Sequence, residues 1–455
     1  CVIWIFTLRL EGARINAGFC RYNDANGSMG YGAWSEKGGY SVQVGAHHAE
    51  GFSAQNPAGF SYDPDNDAYQ NHHLAARGEW RSDHQKMSTT ILRSEGKVDF
   101  DQGNTATLNQ AWGASWNGKI HSSWQHQLSV GAAREKLSTP TFFSIFSSKR
   151  ENLSWQNNFS FSQNAHFVTG IDYSHEHGEN RDTALNTFQY AASRHNVAVF
   201  GGWHNQVTVL DSEISVRYDR NSEFGGEFSG SGALAWQFNR EGRLRFSYGT
   251  GFRSPNLNEQ FSPGYGGLFA GNPALEPEQS RSAEIGLNYK LNKMSEIDIR
   301  AFSTRIDHLI SFTGGSTFQA ENIDHAAIDG MEVDHHWQDS YWAIQNNFTW
   351  QDPRNPDTHT QLLRRPKFKT THLIERAWGK TTVGLEFLWV GRRDDVTTIL
   401  PSYSLTNLRF QQKMNDDWDL DFRLDNVLNR DYELVHGFNT PGRSFSVQVK
   451  WHPAP

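Results

Sequence analysis

Trp418-Asp419-Leu420-Asp421-Phe422-Arg423-Leu424 alternates apolar and charged side chains without a break. Successive side chains of an extended chain point to opposite faces of a sheet. Period two therefore puts Trp418, Leu420, Phe422 and Leu424 on one face and Asp419, Asp421 and Arg423 on the other. A helix would scatter both sets around its circumference. Working outward, the pattern returns in Ser444-Phe445-Ser446-Val447-Gln448-Val449-Lys450-Trp451, in Arg243-Leu244-Arg245-Phe246-Ser247-Tyr248 and in Glu284-Ile285-Gly286-Leu287-Asn288-Tyr289. It appears again in Glu296-Ile297-Asp298-Ile299-Arg300-Ala301-Phe302, just after a short turn around Asn292-Lys293. The expected fold class is all-β, with one apolar, aromatic face and one polar face.

Periodicity does not say which face is wet. In a soluble sandwich the apolar face is the core; in a membrane barrel it meets lipid and the polar face lines the lumen. Loop lengths favour the barrel. Ser35-Glu36-Lys37-Gly38-Gly39, Asn239-Arg240-Glu241-Gly242 and Asn415-Asp416-Asp417 are tight, whereas Asn56 to Asn71 and Ser262 to Glu278 are long and rich in Gly, Pro and Asp. Short turns at one end and long loops at the other are the outer-membrane arrangement. At about 20 residues per strand plus connection, 455 residues fit a transmembrane antiparallel β-barrel of about 22 strands, with short periplasmic turns and long extracellular loops.

Composition agrees. The chain has 40 Gly, 30 Phe, 16 Trp and 14 Tyr, residues suited to strands, turns and interfacial girdles. Its mean hydropathy of −0.67 is compatible with a barrel, because only every second residue of a spanning strand is apolar. No stretch approaches the ~20 consecutive apolar residues that a spanning helix needs. A net charge of −8 argues against nucleic acid as a partner, since phosphate binding needs a basic face. Two cysteines, Cys1 and Cys20, are too few for a disulfide scaffold or a structural zinc site. No tandem repeat or linker is visible, so a single-domain, monomeric barrel is expected. Neither a basic leader nor an initiating Met precedes Cys1-Val2-Ile3-Trp4-Ile5-Phe6-Thr7. An exported protein read this way either starts upstream or is a fragment.

Several segments resemble the signatures of TonB-dependent outer-membrane receptors, most of all those of the vitamin B12 transporter type. They occur in order: Tyr248-Gly249-Thr250-Gly251-Phe252-Arg253-Ser254-Pro255-Asn256-Leu257; Gly271-Asn272-Pro273-Ala274-Leu275-Glu276-Pro277-Glu278; Ala327-Ile328-Asp329-Gly330-Met331-Glu332-Val333; Leu362-Leu363-Arg364-Arg365-Pro366; and Asp425-Asn426-Val427-Leu428-Asn429-Arg430-Asp431-Tyr432-Glu433 with Gly437-Phe438 and Pro441-Gly442-Arg443. Gly249 and Gly251 are expected to allow a bend or the close approach of another backbone, and Arg443 to pair with acids at the rim. The resemblance implies that residues 1–9 are a remnant of the last plug strand and residues 10–455 the receptor barrel. Most of the plug, with the box that docks TonB, is then missing, and the barrel alone would be an open pore or an incomplete product. The end also departs from the family, which closes on an aromatic residue, whereas Trp451 is followed by His452-Pro453-Ala454-Pro455.

The sharpest chemical feature is Asp63-Pro64-Asp65-Asn66-Asp67. Alternate carboxylates with an amide between them offer hard oxygens, of which calcium takes 6–8. The resembled receptors bind calcium with a comparable acidic segment, which orders their substrate loops. That implies a calcium site at Asp63, Asp65 and Asp67, with Asp99 or Asp101 as further ligands. The competing reading is a solvated acidic turn. Arg364 and Arg365 match a position where the family places substrate-contacting arginine; a salt bridge to lumen acids is the alternative. Adjacent histidines such as His47-His48, His72-His73 and His335-His336 point to opposite faces of a strand and cannot share a metal. His175 and His177 share a face but lack an evident third ligand. No nucleophile elbow or complete dinucleotide motif is present, so no enzyme is expected. The resemblance implies uptake of cobalamin or a similar corrinoid, with outer-membrane lipid and TonB as partners. A ferric-siderophore receptor, a soluble carbohydrate-binding β protein and an outer-membrane enzyme such as a lipase are the rival readings.

Overall fold

The computed structural model describes residues 10–264 and 267–453, so the segment read as a plug remnant lies outside the described residues. Twenty-two strands among the described residues form one antiparallel sheet, the strand number expected. The sheet closes on itself: the strand Gly12–Cys20 pairs with Asp24–Ser35 on one side and with Ser444–Trp451 on the other, from Ile15 opposite Trp451 to Cys20 opposite Ser446. Closure leaves no unpaired edge, which is the condition for a sheet to cross a bilayer.

Consecutive connections alternate between the two ends. At one end all are tight, including 36–37, 82–84, 208–209, 293–294, 379–380 and 414–417. Asx side chains replace backbone acceptors there: Asn239 Oδ1 takes the N–H groups of Glu241 (2.9 Å) and Gly242 (2.5 Å), and Asn415 Oδ1 those of Asp417 (2.9 Å) and Trp418 (3.0 Å). This chemistry lets a polar dipeptide reverse the chain. The other end carries the long connections 50–68, 254–277, 355–367, 391–402 and 426–443. The acidic loop both starts and ends earlier than the sequence suggests, because Tyr69 already pairs with Ala49 and Val98.

The opening stretch shows how the wall is built. Trp418 and Phe422 are exposed on the outside, while Asp421 meets Lys450 (2.5 Å), Asp419 meets His452 (2.8 Å) and Arg423 meets Asp425 (2.5 Å) on the inside. The same division runs round the barrel. Exposed Met87, Trp116, Val130, Ile171, Val199 and Ile285 face out. Facing in, Arg217 sits between Asp172 (2.5 Å) and Asp219 (2.8 Å), Arg245 on Asp298 (2.7 Å), and Arg300 between Glu332 (3.1 Å) and Asp334 (2.5 Å). A continuous apolar exterior is far larger than the patches water-soluble monomers tolerate. The apolar face meets lipid, and the soluble rival falls.

Gly249 and Gly251 do not play the part expected of them. Both lie in the ordinary strand Gly242–Arg253, and a Cβ would stand 3.4 Å from Ser231 Cβ and 3.3 Å from Ser280 Oγ respectively. The nearest backbone atom at Gly249, Gly230 O, stands at an ordinary 3.7 Å. Close approaches do occur at other glycines: a Cβ would fall 2.7 Å from the Gln260 carbonyl carbon at Gly271 and 2.7 Å from Leu257 Cδ1 at Gly178.

Candidate functional site at the long-loop mouth

Four loops on one side of the mouth form a single hydrogen-bonded unit. Loop 50–68 is stitched to loop 426–443 by Asn56 N–H to Gly437 O (2.9 Å), Asn439 N–H to Ala54 O (2.9 Å) and Asn56 Nδ2 to Glu433 Oε1 (2.6 Å). Loop 426–443 is in turn held by Asp395, whose side chain is 2% exposed. Asp395 accepts from His436 N (2.7 Å), Val396 N (2.8 Å) and Arg364 Nε (2.8 Å). Burial pushes this carboxyl up, but the two backbone N–H groups and Arg364 outweigh it and hold it below its ordinary range. Arg393 stacks over Tyr403 at 5.3 Å, and Tyr403 stacks on Tyr432 at 4.4 Å. The closing motif thus serves loop architecture: Asn426 and Asn429 take left-handed φ of 50° and 51°, which asparagine tolerates.

Loop 254–277 closes the mouth from the other side. Its short helix, α1 (Leu257–Phe261), has a capping box: Asn256 Oδ1 accepts from Glu259 N, and the Glu259 carboxylate accepts from Asn256 N. Arg253 bonds Glu259 (2.9 Å) and Glu278 (2.7 Å), tying the two neighbouring sequence motifs together. Leu257 packs against Gly178, Asn258 accepts from Tyr190 Oη (2.8 Å), and Pro255 O accepts from Arg194 Nη1 (2.5 Å). Gly178, Tyr190 and Arg194 are on the inward face, so the helix lies within the lumen mouth. Sequence reasoning did not single out Arg253, Glu259 or Asp395. The Asn256-x-x-Glu259 spacing was a readable cap signal; the partners of Asp395 are too distant in sequence for any local signal.

The sequence-read acids come together only in part. Asp67 Oδ2 accepts from Ala54 N (2.6 Å), while Asp67 Oδ1 is buried without a hydrogen-bond partner. Asp101 Oδ1 accepts from Asp63 N (3.0 Å), and Asp63 O accepts from Ser53 Oγ (2.8 Å). The Asp63 and Asp65 residues face solvent, and Asp99 lies 2.9 Å from Lys97 Nζ. Burial first, then the carboxylates of Asp101, Asp65 and Asp99, raise the Asp67 pKa against the Ala54 bond. Among the described residues no three carboxylate, imidazole or thiol groups converge as a metal cluster would. The residues nevertheless fit a cation in one respect: Asp67 presents an unused, buried oxygen amid other negative charge.

The arginine pair divides. Arg364, with φ of 60°, is the structural partner of Asp395, a loop acid rather than one of the lumen wall. Arg365 has no ion pair among the described residues and lines a cleft of about 600 Å³ with Leu309, Ile310, Leu363, Asp394 and Ile399. That volume and mixed lining suit a small-molecule site. Arg443 has no ion pair among the described residues; its backbone N–H donates to Asn429 Oδ1 (2.9 Å) and its carbonyl accepts from Arg21. His195 stands opposite His175, but His177 bonds Ser193 (2.7 Å) instead.

A sheet with this exterior belongs in a bilayer, and its closure without edges is what permits the crossing; the fold defines an outer-membrane β-barrel. Residues 21–427 match the family described as "TonB dependent receptor-like, beta-barrel". The chain belongs to this family of TonB-dependent receptor barrels of the outer membrane. It is 28% identical over 301 residues to the vitamin B12 transporter BtuB of Vibrio vulnificus, covering 64% of this chain and 47% of that protein. With the vitamin B12 transporter BtuB of Photobacterium profundum it shares 23% over 439 residues, 92% of this chain and 69% of the relative. The chain thus spans about half the length of the first relative and about two thirds of the second. Among solved structures it resembles the FrpB iron transporter from Neisseria meningitidis (TM-score 0.80, 12% identity, 97% of this chain and 81% of that one). It also resembles the copper transporter OprC (TM-score 0.80, 15% identity, 98% and 81%). At such identities the likeness is one of fold.

Proposed function

We propose that this barrel receives a corrinoid of the cobalamin type at its long-loop mouth and, as part of the whole protein, admits it under the control of TonB. The observation that carries the reading is the similarity to proteins named vitamin B12 transporters, extending along 92% of the chain in one case. No covalent step is involved; the mouth supplies shape, apolar contact and a few polar groups. Arg365 is the ligand-facing arginine of the pair. Ligand competition tests the choice of substrate. Cyanocobalamin should displace a labelled corrinoid from the refolded barrel while ferric catecholates do not. Displacement by iron chelates alone would favour the siderophore reading, which the iron-transporter fold neighbours keep in view.

We further propose that calcium orders loop 50–68. Asp67 is its anchor, with Asp63, Asp65 and Asp101 completing the oxygen set as the loop closes. Asp67 binds a proton more readily than an ordinary carboxyl, and the metal competes with that proton. Calcium affinity is therefore expected to start falling, as pH is lowered, above the usual carboxylate range of ~4. An Asp67→Asn barrel should lose most of the affinity. Calorimetric titration over pH 4 to 8 checks this; a flat profile, or undiminished affinity in Asp67→Asn, would remove Asp67 from the site.

A further inference from the structure

Across the strands from Gln85–Phe100 to Leu210–Asn221, the outward face changes character at the end nearest the long loops. On Gln85–Phe100, outward Ile91 gives way to Arg93, which pairs with Glu95 on the same face; on Trp124–Thr139, Ala132 gives way to Arg134 and Lys136. On Ser144–Ser160, Leu153 gives way to Glu151 and Lys149, and on Leu210–Asn221, Tyr218 gives way to Arg220. The hydrogen-bonded register gathers three of these cations. Arg134 stands opposite Lys149, and Lys136 stands opposite Ser147, on adjacent strands. Lys149 is 2.5 Å from Glu151, whereas Arg134 and Lys136 have no partner among the described residues.

On the opposite wall every outward cation at the same end stands beside an acid: Arg281 by Asp307 (2.9 Å), Arg305 by Asp329 (2.7 Å), and Lys367 (2.6 Å) and Arg354 (3.5 Å) by the Asp352 they share. Among the described residues, the outward cations without an acid partner are thus gathered on one side, beginning where the lipid-facing band ends. A cation there stands at headgroup level, with its stem along the apolar wall. The anion available at that level is phosphate, which the arginine fork matches in two hydrogen bonds.

We infer that Arg134, Lys136 and Lys149 form a seat for the phosphate of an outer-leaflet glycolipid headgroup, continuous with the lipid-facing wall and independent of ligand capture at the mouth. The test uses the full chain refolded in phosphatidylcholine nanodiscs doped with bisphosphorylated lipid A or with its monophosphoryl form, and retained lipid is counted by native mass spectrometry. The wild type should retain the bisphosphorylated lipid, and Arg134→Gln/Lys136→Gln should weaken that retention roughly tenfold to thirtyfold. Arg240→Gln/Lys380→Gln, at the tight-turn end, should leave it unchanged. Heat-modifiable migration on gels confirms that each variant is folded. Equal retention of both lipids by the wild type, equal retention by the Arg134/Lys136 variant, or an equal loss in the tight-turn variant would each overturn the proposal.

Discussion

Replacing Asp395 with alanine should loosen three loops at once. The side chain accepts from loop 355–367 through Arg364, from its own loop through Val396 and from loop 426–443 through His436. Removing it leaves two backbone donors without their acceptor, at about 1–3 kcal/mol each. The Arg364 pair adds less, because Arg364 is 45% exposed and solvent screens it. The expected local loss is roughly 3 kcal/mol, or about a hundredfold rise in amide exchange at Val396 and His436. Loop 50–68, stitched to loop 426–443, should become protease-sensitive in the same variant. The pH dependence has a definite sign. A carboxyl held below its unfolded value contributes stability that is present above ~3.9 and lost as pH falls through its folded pKa. The latch should therefore survive at pH 5 and open only in stronger acid. Unchanged exchange in the alanine variant would show that Asp395 holds nothing.

Val130→Arg should destabilise the folded barrel by about 2–4 kcal/mol, while Ser129→Arg should cost little. The two residues are adjacent in the strand Trp124–Thr139 and differ only in the face they occupy. Val130 is 42% exposed and lies between Ala114 and Leu153 on the neighbouring strands, so an arginine there enters hydrocarbon. At Ser129 it enters a lumen already furnished with ion pairs. Urea titration in lipid vesicles gives both values, and equal costs would mean that the inside and outside of the wall have been confused.

The wall was legible in the sequence because lipid and lumen impose opposite chemistry on successive residues. Trp418 to Leu424 shows it without any tertiary information. Turn placement was legible too, because Asn239 and Asn415 carry their own acceptors. The mouth was less so. The motifs containing Arg253, Arg364 and Asn426 pointed to it, but their roles depend on partners brought near by barrel closure rather than by sequence spacing. Arg364 and Arg365 look equivalent in sequence; one register step sends the first to a buried aspartate and the second to a cleft. Gly249 and Gly251 misled for the opposite reason: small residues inside an aromatic strand suggest a close contact, yet the neighbours there are Ser231 and Ser280, small enough to leave room.

The most direct test of the proposed receptor is equilibrium binding of cyanocobalamin to the refolded barrel, in calcium and in chelator, for the wild type and for Asp67→Asn. The proposed role of the mouth predicts wild-type binding that weakens at least tenfold, about 1.4 kcal/mol, when calcium is removed, and an Asp67→Asn barrel that behaves in calcium as the wild type does in chelator. A folded wild-type barrel that ignores cyanocobalamin in calcium would contradict it.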